Sequence, residues 1–546
     1  MICCTLFLSN SWGQTWGAST FSQTTNEAAD IELNNLNESY VAGYFSGQTS
    51  FSPSSSFSST QGNTDAYIAK YSPSGAVIWI KQFGGLSADR AIDLAVGPDQ
   101  NIVVTGQFFG SITFGATTLV STANSKDIFI VKLDPAGNVL WARKEGGSLP
   151  ENAYKLTIDN LNNVILTGEY QGVASIGANT FTSTNDPGTG APSFDLFISK
   201  YNSGGTPIWS LSGYADYDDR GLSVAVDAQN NIFFTGQFSD TLNFASNTYN
   251  NNGMNVGFLC KLNPAGQVQF FHVMKAGYTL PYDVEVNQSN EPIVVGDFLG
   301  NMLYYDQSGS NSIQNPYDKQ IFVLKTSNTG QYTWSHTLGS TNELSAKAVS
   351  IDPGNNIYVT GFFKCDLSQI QDSTENIFNS VGFKDPYLLK VSNAGGRMYI
   401  KQFGSKLDDE GKGVAVKQAD KPLLCGSYTS DLNFVPAAAT IGNDNFTFNP
   451  FYGMEPYHVF LVGDQSRNSF LTNQVNGNYA DYNYYMVPTT DSLVGYIHAE
   501  EADHYVTVIG DTVHFCTNAN LYYQTLTFQH FGPSYTSTWY DGSQNV

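Results

Sequence analysis

The residues best equipped for chemistry in this chain are carboxylates in the connections between its strand-like segments. They are Asp89, Glu151, Asp216, Asp218 and Asp219 (in YADYDDR), Glu343, and Asp408, Asp409 and Glu410 (in KLDDEGK). Carboxylates hold Ca²⁺ when six to eight oxygens converge, and two of them suitably spaced run a glycosidase. The run DYDD lacks the full calcium-loop pattern of alternating acids, glycine and closing glutamate. No cofactor is therefore expected, with Ca²⁺ as the one ion these groups could take. The nine residues are read either as solvated turn formers or as an acidic loop face for binding. His498, Glu500, Glu501 and His504 also carry ligand-type side chains, and without helical spacing they read as a surface loop. No GxSxG, HExxH or phosphate-binding loop occurs, so no catalytic residue is assigned and an enzyme is the less favoured reading.

The elements that must position these groups follow from composition and repetition. Of 546 residues, 41% are hydrophobic and only 13% charged, with 51 Gly, 32 Tyr and 36 Phe. That is too apolar for a disordered chain and points to an all-β protein. Lys and Arg number 25 against 48 Asp and Glu, a formal charge of −23 that disfavours nucleic acid as a partner. Of six Cys, Cys3 and Cys4 adjoin in the N-terminal apolar run and four are scattered with no CxxC, and Cys260 and Cys425, inside apparent strands, read as small buried hydrophobes. No segment approaches the length of a transmembrane helix. The opening MICCTLFLSNSWGQTWG has an apolar run of signal-peptide length, and residues 1–14 are read as a signal-peptide remnant cut near Gln14.

One phrase recurs seven times, as in AIDLAVGPDQNIVVTGQF (91–108) and GLSVAVDAQNNIFFTGQF (221–238). Its shared glycines are Gly43, Gly106, Gly168, Gly236, Gly296, Gly361 and Gly426, spaced 63, 62, 68, 60, 65 and 65 residues apart. Period-two alternation on either side of a turn cluster makes each copy two strands, A and B. A second phrase interleaves with it, as in DAYIAKYSPSGAVIWIKQFGG (65–85) and DIFIVKLDPAGNVLWARKEGG (127–147), and reads as a hairpin of strands C and D. Four-stranded meanders repeated about an axis make a β-propeller.

The expected closure rests on spacing. Twelve residues separate Trp79 from Ala91, Trp141 from Ala153, Trp209 from Gly221, Trp334 from Ala346 and Tyr399 from Gly411. Trp16 stands the same 12 residues before Ala28. TWGASTF (15–21) is thus an orphan outer strand, and YHVFLV (457–462) a C strand lacking its D partner. Trp16 marks the expected structural closure, with the N-terminal strand completing the seventh blade and replacing loop-closure cost by sheet hydrogen bonds.

The phrases GxAVDxxNNIYVTGxF and DxFxxKxxPxGxxxW resemble the seven-bladed β-propeller repeat of secreted bacterial proteins, over about residues 15–463. That resemblance implies a seven-bladed propeller, an extracellular or cell-surface setting in a bacterium, and a multidomain surface protein, sometimes with a sorting domain for type IX secretion. It brings no catalytic motif. Lys70, Lys132, Lys200, Lys261, Lys325 and Lys390 share one repeat position where the last copy has Val462.

Meander geometry puts short A–B and C–D turns on one face and long, variable B–C and D–A connections on the other, where binding usually resides. SITFGATTLVS and VASIGANTFTSTN in the B–C connections read as extra hairpins. The acidic D–A residues are expected to ring the mouth of the central channel, and Asp93, Lys155, Asp283 and Glu285 to lie near its axis. The repeated Trp reads as packing between blades, with a sugar-stacking platform as the alternative, and the repeated Lys as a solvated or snorkelling strand end. Residues 464–546 do not repeat and are expected to form a partial β-sandwich, resembling the opening of a PKD- or Ig-like module that ends before it is complete.

Three functions fit these features. The first is a secreted or cell-surface, non-enzymatic adhesion scaffold binding a protein or glycan, or sister subunits, through the B–C and D–A loops. The second is a carbohydrate-active enzyme with carboxylates at the channel mouth, and the third a structural subunit of a surface appendage or filament.

Overall fold

The computed structural model describes residues 17–22, 26–52, 55–60, 63–314, 319–340, 343–364, 384–402, 408–419 and 421–429, and beyond them strand segments between 438 and 536. Trp16 and residues 1–14 lie outside the described residues, as does the group from His498 to His504 as far as side chains are concerned. The described chain is all β apart from one 3-10 turn at Thr122–Asn124.

Each repeat pairs antiparallel in the order A–B–C–D. The second repeat runs Asp89–Val96, Ile102–Phe109, Lys126–Leu133 and Val139–Gly147. The arrangement is propeller-like: inner strands of successive repeats neighbour one another, and Asp409–Ala415 of the last lies beside Asn26–Leu33 of the first. Gly17–Ser22 pairs with Tyr457–Gly463, Gly17 opposite Val462, so the chain's beginning joins the sheet that holds Val414 and Leu424.

The sheets differ from the expected set of separate four-stranded units. Three repeats stand alone as four-stranded sheets, while the others merge into sheets of six and ten strands. The cause lies in the B–C connections. Both hairpins read from the sequence form, at Ser111–Phe114 with Thr117–Val120 and at Val173–Ile176 with Asn179–Thr182. The second adds to the D strand of the preceding repeat, with Gly146 opposite Ser175, and Gln48–Ser52 likewise covers Gly17–Ser22. These hairpins cap sheet edges that would otherwise expose unpaired backbone. In the C-terminal stretch the described strands pair into one three-stranded and one four-stranded sheet.

B strands are buried on both faces, as in Ile102, Val103 and Val104. Apolar clusters accordingly straddle successive sheets, and one joins Ala28, Ile31 and Val41 of the first repeat to Ala415, Leu423 and Cys425 of the last. Cys260 and Cys425 are buried, as the sequence indicates.

The repeated glycine has a local cause. In each A strand the pairing slips by one residue, for example between Ala91 and Asp93, so one residue bulges out. A Cβ on Gly106 would stand 1.9 Å from Arg90 O across that bulge, and one on Gly168 would stand 2.0 Å from Asn152 O. At the outer edge, Trp79, Trp141, Trp209 and Trp334 donate Nε1–H to the C–D turn of the next repeat, at Pro135, Ser203, Pro264 and Asn393 O, over 3.0–3.1 Å. Each ring lies over a turn glycine with positive φ, such as Gly205 (φ 82°) beneath Trp141. In the fourth repeat Phe270 takes the tryptophan's place, opposite Lys261 as Trp141 is opposite Lys132, and His272 two residues on sets its Nδ1 3.0 Å from Gly330 O.

Gly106→Ala is expected to cost roughly 3 kcal/mol or more, because a Cβ meets backbone that cannot yield. Trp141→Phe, which keeps most of the ring packing and loses one hydrogen bond, should cost about 1 kcal/mol. Denaturant unfolding of both variants checks the contrast.

Candidate functional site

The nine acidic positions divide by depth. Asp89, Glu151, Asp219 and Asp409 are fully buried where one sheet meets the next. Backbone N–H groups of Asp89, Asp219 and Asp409 donate to Thr64, Phe194 and Lys384 O, just ahead of strand C in the preceding repeat. Asp216, Asp218, Glu343 and Asp408 are exposed and Glu410 is half-buried. Three of these meet cations: Asp218 lies 3.8 Å from Arg220, Glu343 lies 3.7 Å from Lys384, and Glu410 pairs with both Lys384 and Lys412. The expected continuous acidic ring is therefore corrected. The first carboxylate of an A strand sits against the neighbouring sheet, and the exposed remainder is interrupted by basic side chains.

The repeated lysines also differ from the expected solvated ends. Lys70, Lys132, Lys200 and Lys325 are buried and pair with Glu38, Asp99, Asp159 and Glu291 of the A–B turns at 2.7–2.9 Å. Such pairs fasten the A–B turn to the end of strand C, and they supply no binding surface.

Around the axis the bulges deliver a polar side chain on five inner strands, at Asp30, Asp93, Lys155, Ser223 and Asp283, while the sixth and seventh have Ala348 and Gly413 at that position. Asp30 Oδ2 accepts the N–H of Leu94, Asp93 Oδ2 that of Leu156, and Asp283 Oδ2 that of Val349, each on the next inner strand. Ser223 and Ser350 hydroxyls accept from Val284 and Val416 in the same way. Inner strands share no ladder, so these bonds form the seam between them. Lys155 instead reaches back across the axis, its Nζ 3.0 Å from Asp93 and 3.8 Å from Asp30. Burial disfavours its charged form, yet Asp30, Asp93 and Asp283 together lift its pKa well above the ordinary lysine value.

Beyond Lys155 the channel opens into a cavity of about 170 Å³ lined by Glu32, Glu285, Ser350 and Lys417, among others. Burial, reinforced by Asp30, pushes Glu32 up to about 7, and burial with Asp283 and Glu32 pushes Glu285 up to about 8. Lys155, Asp93, Asp283 and Glu285 thus stand where the sequence reading expected them. Asp30, Glu32 and Lys417 were not singled out, although Asp30 occupies the same repeat position as Asp93, two residues after the small residue that opens the phrase. Among the described residues no group of three or more His, Cys, Asp or Glu forms a metal-binding cluster. No helix among them is long and apolar enough to cross a membrane.

The glutamate pair makes stability depend on pH in a defined direction. Above their ordinary value of 4.5, the unfolded chain releases protons that the folded channel retains, so stability falls as pH rises from about 4.5 to about 8. The melting temperature should decline between pH 5 and pH 8.5. Glu285→Gln should flatten that decline and melt higher than the wild type at pH 8.5.

No protein-family model matches the sequence. An uncharacterized WD repeat-containing protein of Acanthamoeba polyphaga mimivirus is 24% identical over 443 residues, covering 66% of this chain and 32% of that protein. The chain thus spans about a third of its relative's length. Among solved structures, a quinohemoprotein alcohol dehydrogenase of Pseudomonas putida is 9% identical with a TM-score of 0.36, over 85% of this chain and 79% of that one. Sqt1 of Chaetomium thermophilum is 9% identical with a TM-score of 0.34, over 74% and 95%. TM-scores this low carry no weight beside the repeat itself. The seven sequence copies, their antiparallel meanders and the WD-repeat relative together make this chain a β-propeller repeat protein.

Proposed function

We propose that the chain is a non-enzymatic binding scaffold, secreted or displayed on a bacterial surface, whose propeller is one closed ring of seven blades over residues 15–463. In this reading residues 464–546 belong to a further β module, and the partner is a protein or glycan met outside the cell. One observation carries the proposal: the connection from the third repeat to the fourth. There Tyr214 and Tyr217 are each 45% exposed, beside the exposed Asp216 and Asp218. Large aromatics held at the surface, next to hydrogen-bonding groups, have the composition of interaction hot spots. They sit on a connection whose two ends are fixed by strands, so little ordering entropy opposes binding. Glu343 and Asp408 add acidity on other D–A connections, and the rim hairpins supply a second variable surface. Several described B–C hairpins dock onto sheet edges, which leaves the D–A connections the better candidate.

A carbohydrate-active enzyme is the second reading, favoured by Glu32 and Glu285 lining one cavity with raised pKa values. At about 170 Å³ that cavity is smaller than the roughly 300 Å³ at which small-molecule sites begin. The space suits water or an ion better than a sugar ring with its neighbours.

A glycan array and an array of extracellular-matrix proteins, probed with the wild type and with Asp216→Ala/Tyr217→Ala/Asp218→Ala, test the two readings together. Binding by the wild type that falls at least tenfold in the triple variant, at unchanged melting temperature, supports the scaffold. Equal binding by both proteins, or binding by neither, rejects this surface. Glycan hydrolysis abolished by Glu285→Gln would replace the scaffold with the enzyme.

A further inference from the structure

Four repeats place two fully buried carboxylates at one junction between sheets. One opens strand C (Asp65, Asp127, Asp195 or Asp385), and the other opens strand A of the following repeat (Asp89, Glu151, Asp219 or Asp409). The first three junctions are built alike. A threonine ahead of strand C donates its backbone N–H to the first aspartate: Thr60 to Asp65, Thr122 to Asp127 and Thr184 to Asp195, at 2.9–3.1 Å. Its hydroxyl lies 3.0–3.1 Å from the same carboxylate. Glycines at the end of strand D pack against the pair. A Cβ on Gly146 would stand 2.7 Å from Asp127 Cγ and 2.8 Å from Glu151 Oε2, so both carboxyls converge on that one point. At the first junction a Cβ on Gly84 would stand 2.3 Å from Asp65 Cγ, while Gly85 N–H donates to Asp89 Oδ2.

The junctions differ in charge. Lys144, opposite Phe129 in the sheet, lies 2.9 Å from Asp127 Oδ2 and compensates the charge of Asp127 at the second junction. The same register position holds Gln82 opposite Tyr67 in the first repeat and Ser212 opposite Phe197 in the third, both neutral. Among the described residues no basic side chain forms an ion pair with Asp65, Asp89, Asp195 or Asp219. Asp65 Oδ1, Asp89 Oδ1 and Asp219 Oδ2 are buried without a hydrogen-bond partner, as are Asp127 Oδ1 and both Glu151 oxygens at the second junction. Isolated buried carboxylates are costly, and a fold meets that cost by protonation or by a cation. Burial pushes Asp89 up to about 8 and Asp195 up to about 7, which shows how strongly these positions resist a bare negative charge.

We propose that a divalent cation of the calcium class seats at the Asp65–Asp89 and Asp195–Asp219 junctions, in the role that Lys144 fills at Asp127–Glu151. Calcium is the hard, oxygen-seeking ion that tolerates irregular geometry. Both sites offer carboxylate oxygens with spare lone pairs beside a threonine hydroxyl. The cations would tie strand C of one sheet to strand A of the next, and so brace the ring.

The full chain, stripped with EGTA and exchanged into chelator-free buffer at pH 7.5, is titrated with CaCl₂ by calorimetry and by thermal melting. Saturable binding is expected, with a rise in melting temperature of roughly 5 °C that EGTA reverses. Asp89→Asn should bind one ion fewer than the wild type, and Lys144→Gln one ion more. Should Asp89→Asn fail to fold, the wild type and Lys144→Gln still decide. No calcium heat and no melting shift in the wild type would overturn the proposal. So would an unchanged ion count in both variants, or stabilisation by acid alone, which would assign the junctions to shared protons.

Discussion

A four-stranded sheet with apolar side chains on both faces cannot stand alone in water, and every other feature of this chain answers to that constraint. Ile102, Val103 and Val104 are all buried although they alternate between faces, so the sheet that holds them needs a neighbour on each side. At roughly 1.5–3 kcal/mol for each large apolar side chain removed from water, a missing neighbour would undo many such contributions at once. A line of stacked sheets always leaves two faces wet. A ring leaves none, and the pairing of Gly17–Ser22 with Tyr457–Gly463, with Ala28 packed near Cys425, joins the two ends.

Apolar packing between sheets has little directional preference, so the registry of one sheet against the next is set by polar contacts at both edges. On the inside, Asp30, Asp93, Ser223, Asp283 and Ser350 each bond the backbone of the following inner strand. On the outside, the tryptophan indoles bond the following C–D turn. The inner set, Ser350 apart, depends on one backbone device. The bulge in strand A turns the side chain that directly follows it toward the axis, and it requires Gly106 or its equivalents opposite. The glycine that defines the repeat in sequence is thus the residue that permits the polar axis.

Much of this was legible before any coordinates. Period-two alternation, the recurring glycine and the 12-residue interval from Trp to strand A point to strand order and to the pairing of Gly17–Ser22 with Tyr457–Gly463. Depth was not legible. Asp218 and Asp219 are adjacent letters, yet the first is exposed and the second fully buried, although both bond Phe194 of strand C, the first through its carboxylate and the second through its backbone N–H. The lysines of strand C read as solvated since their partners lie far off in sequence, as with Lys132 and Asp99, 33 residues apart. The docking of Val173–Ile176 onto the strand that ends at Gly147 is equally hidden, since nothing local specifies which free edge a hairpin will find.

That difference in depth also changes what the acidic composition means. The formal charge of −23 counts every carboxylate as ionised and places them all, by default, on the surface. Burial instead pushes Asp89 and Glu285 up to about 8 and Glu151 up to about 9, so near neutral pH these three are largely protonated unless a cation replaces the proton. Counting them as neutral brings the charge to about −20, that is, −23 plus 3. Others, such as Asp99, Asp159 and Glu291, sit in ion pairs with buried lysines and project little field outward. The charge a partner meets is therefore set by a few exposed groups, Asp216 and Asp408 among them, against nearby cations such as Arg220 and Lys384. Recognition at such a surface depends on local arrangement more than on long-range attraction, because opposite charges this close cancel within a Debye length of about 8 Å.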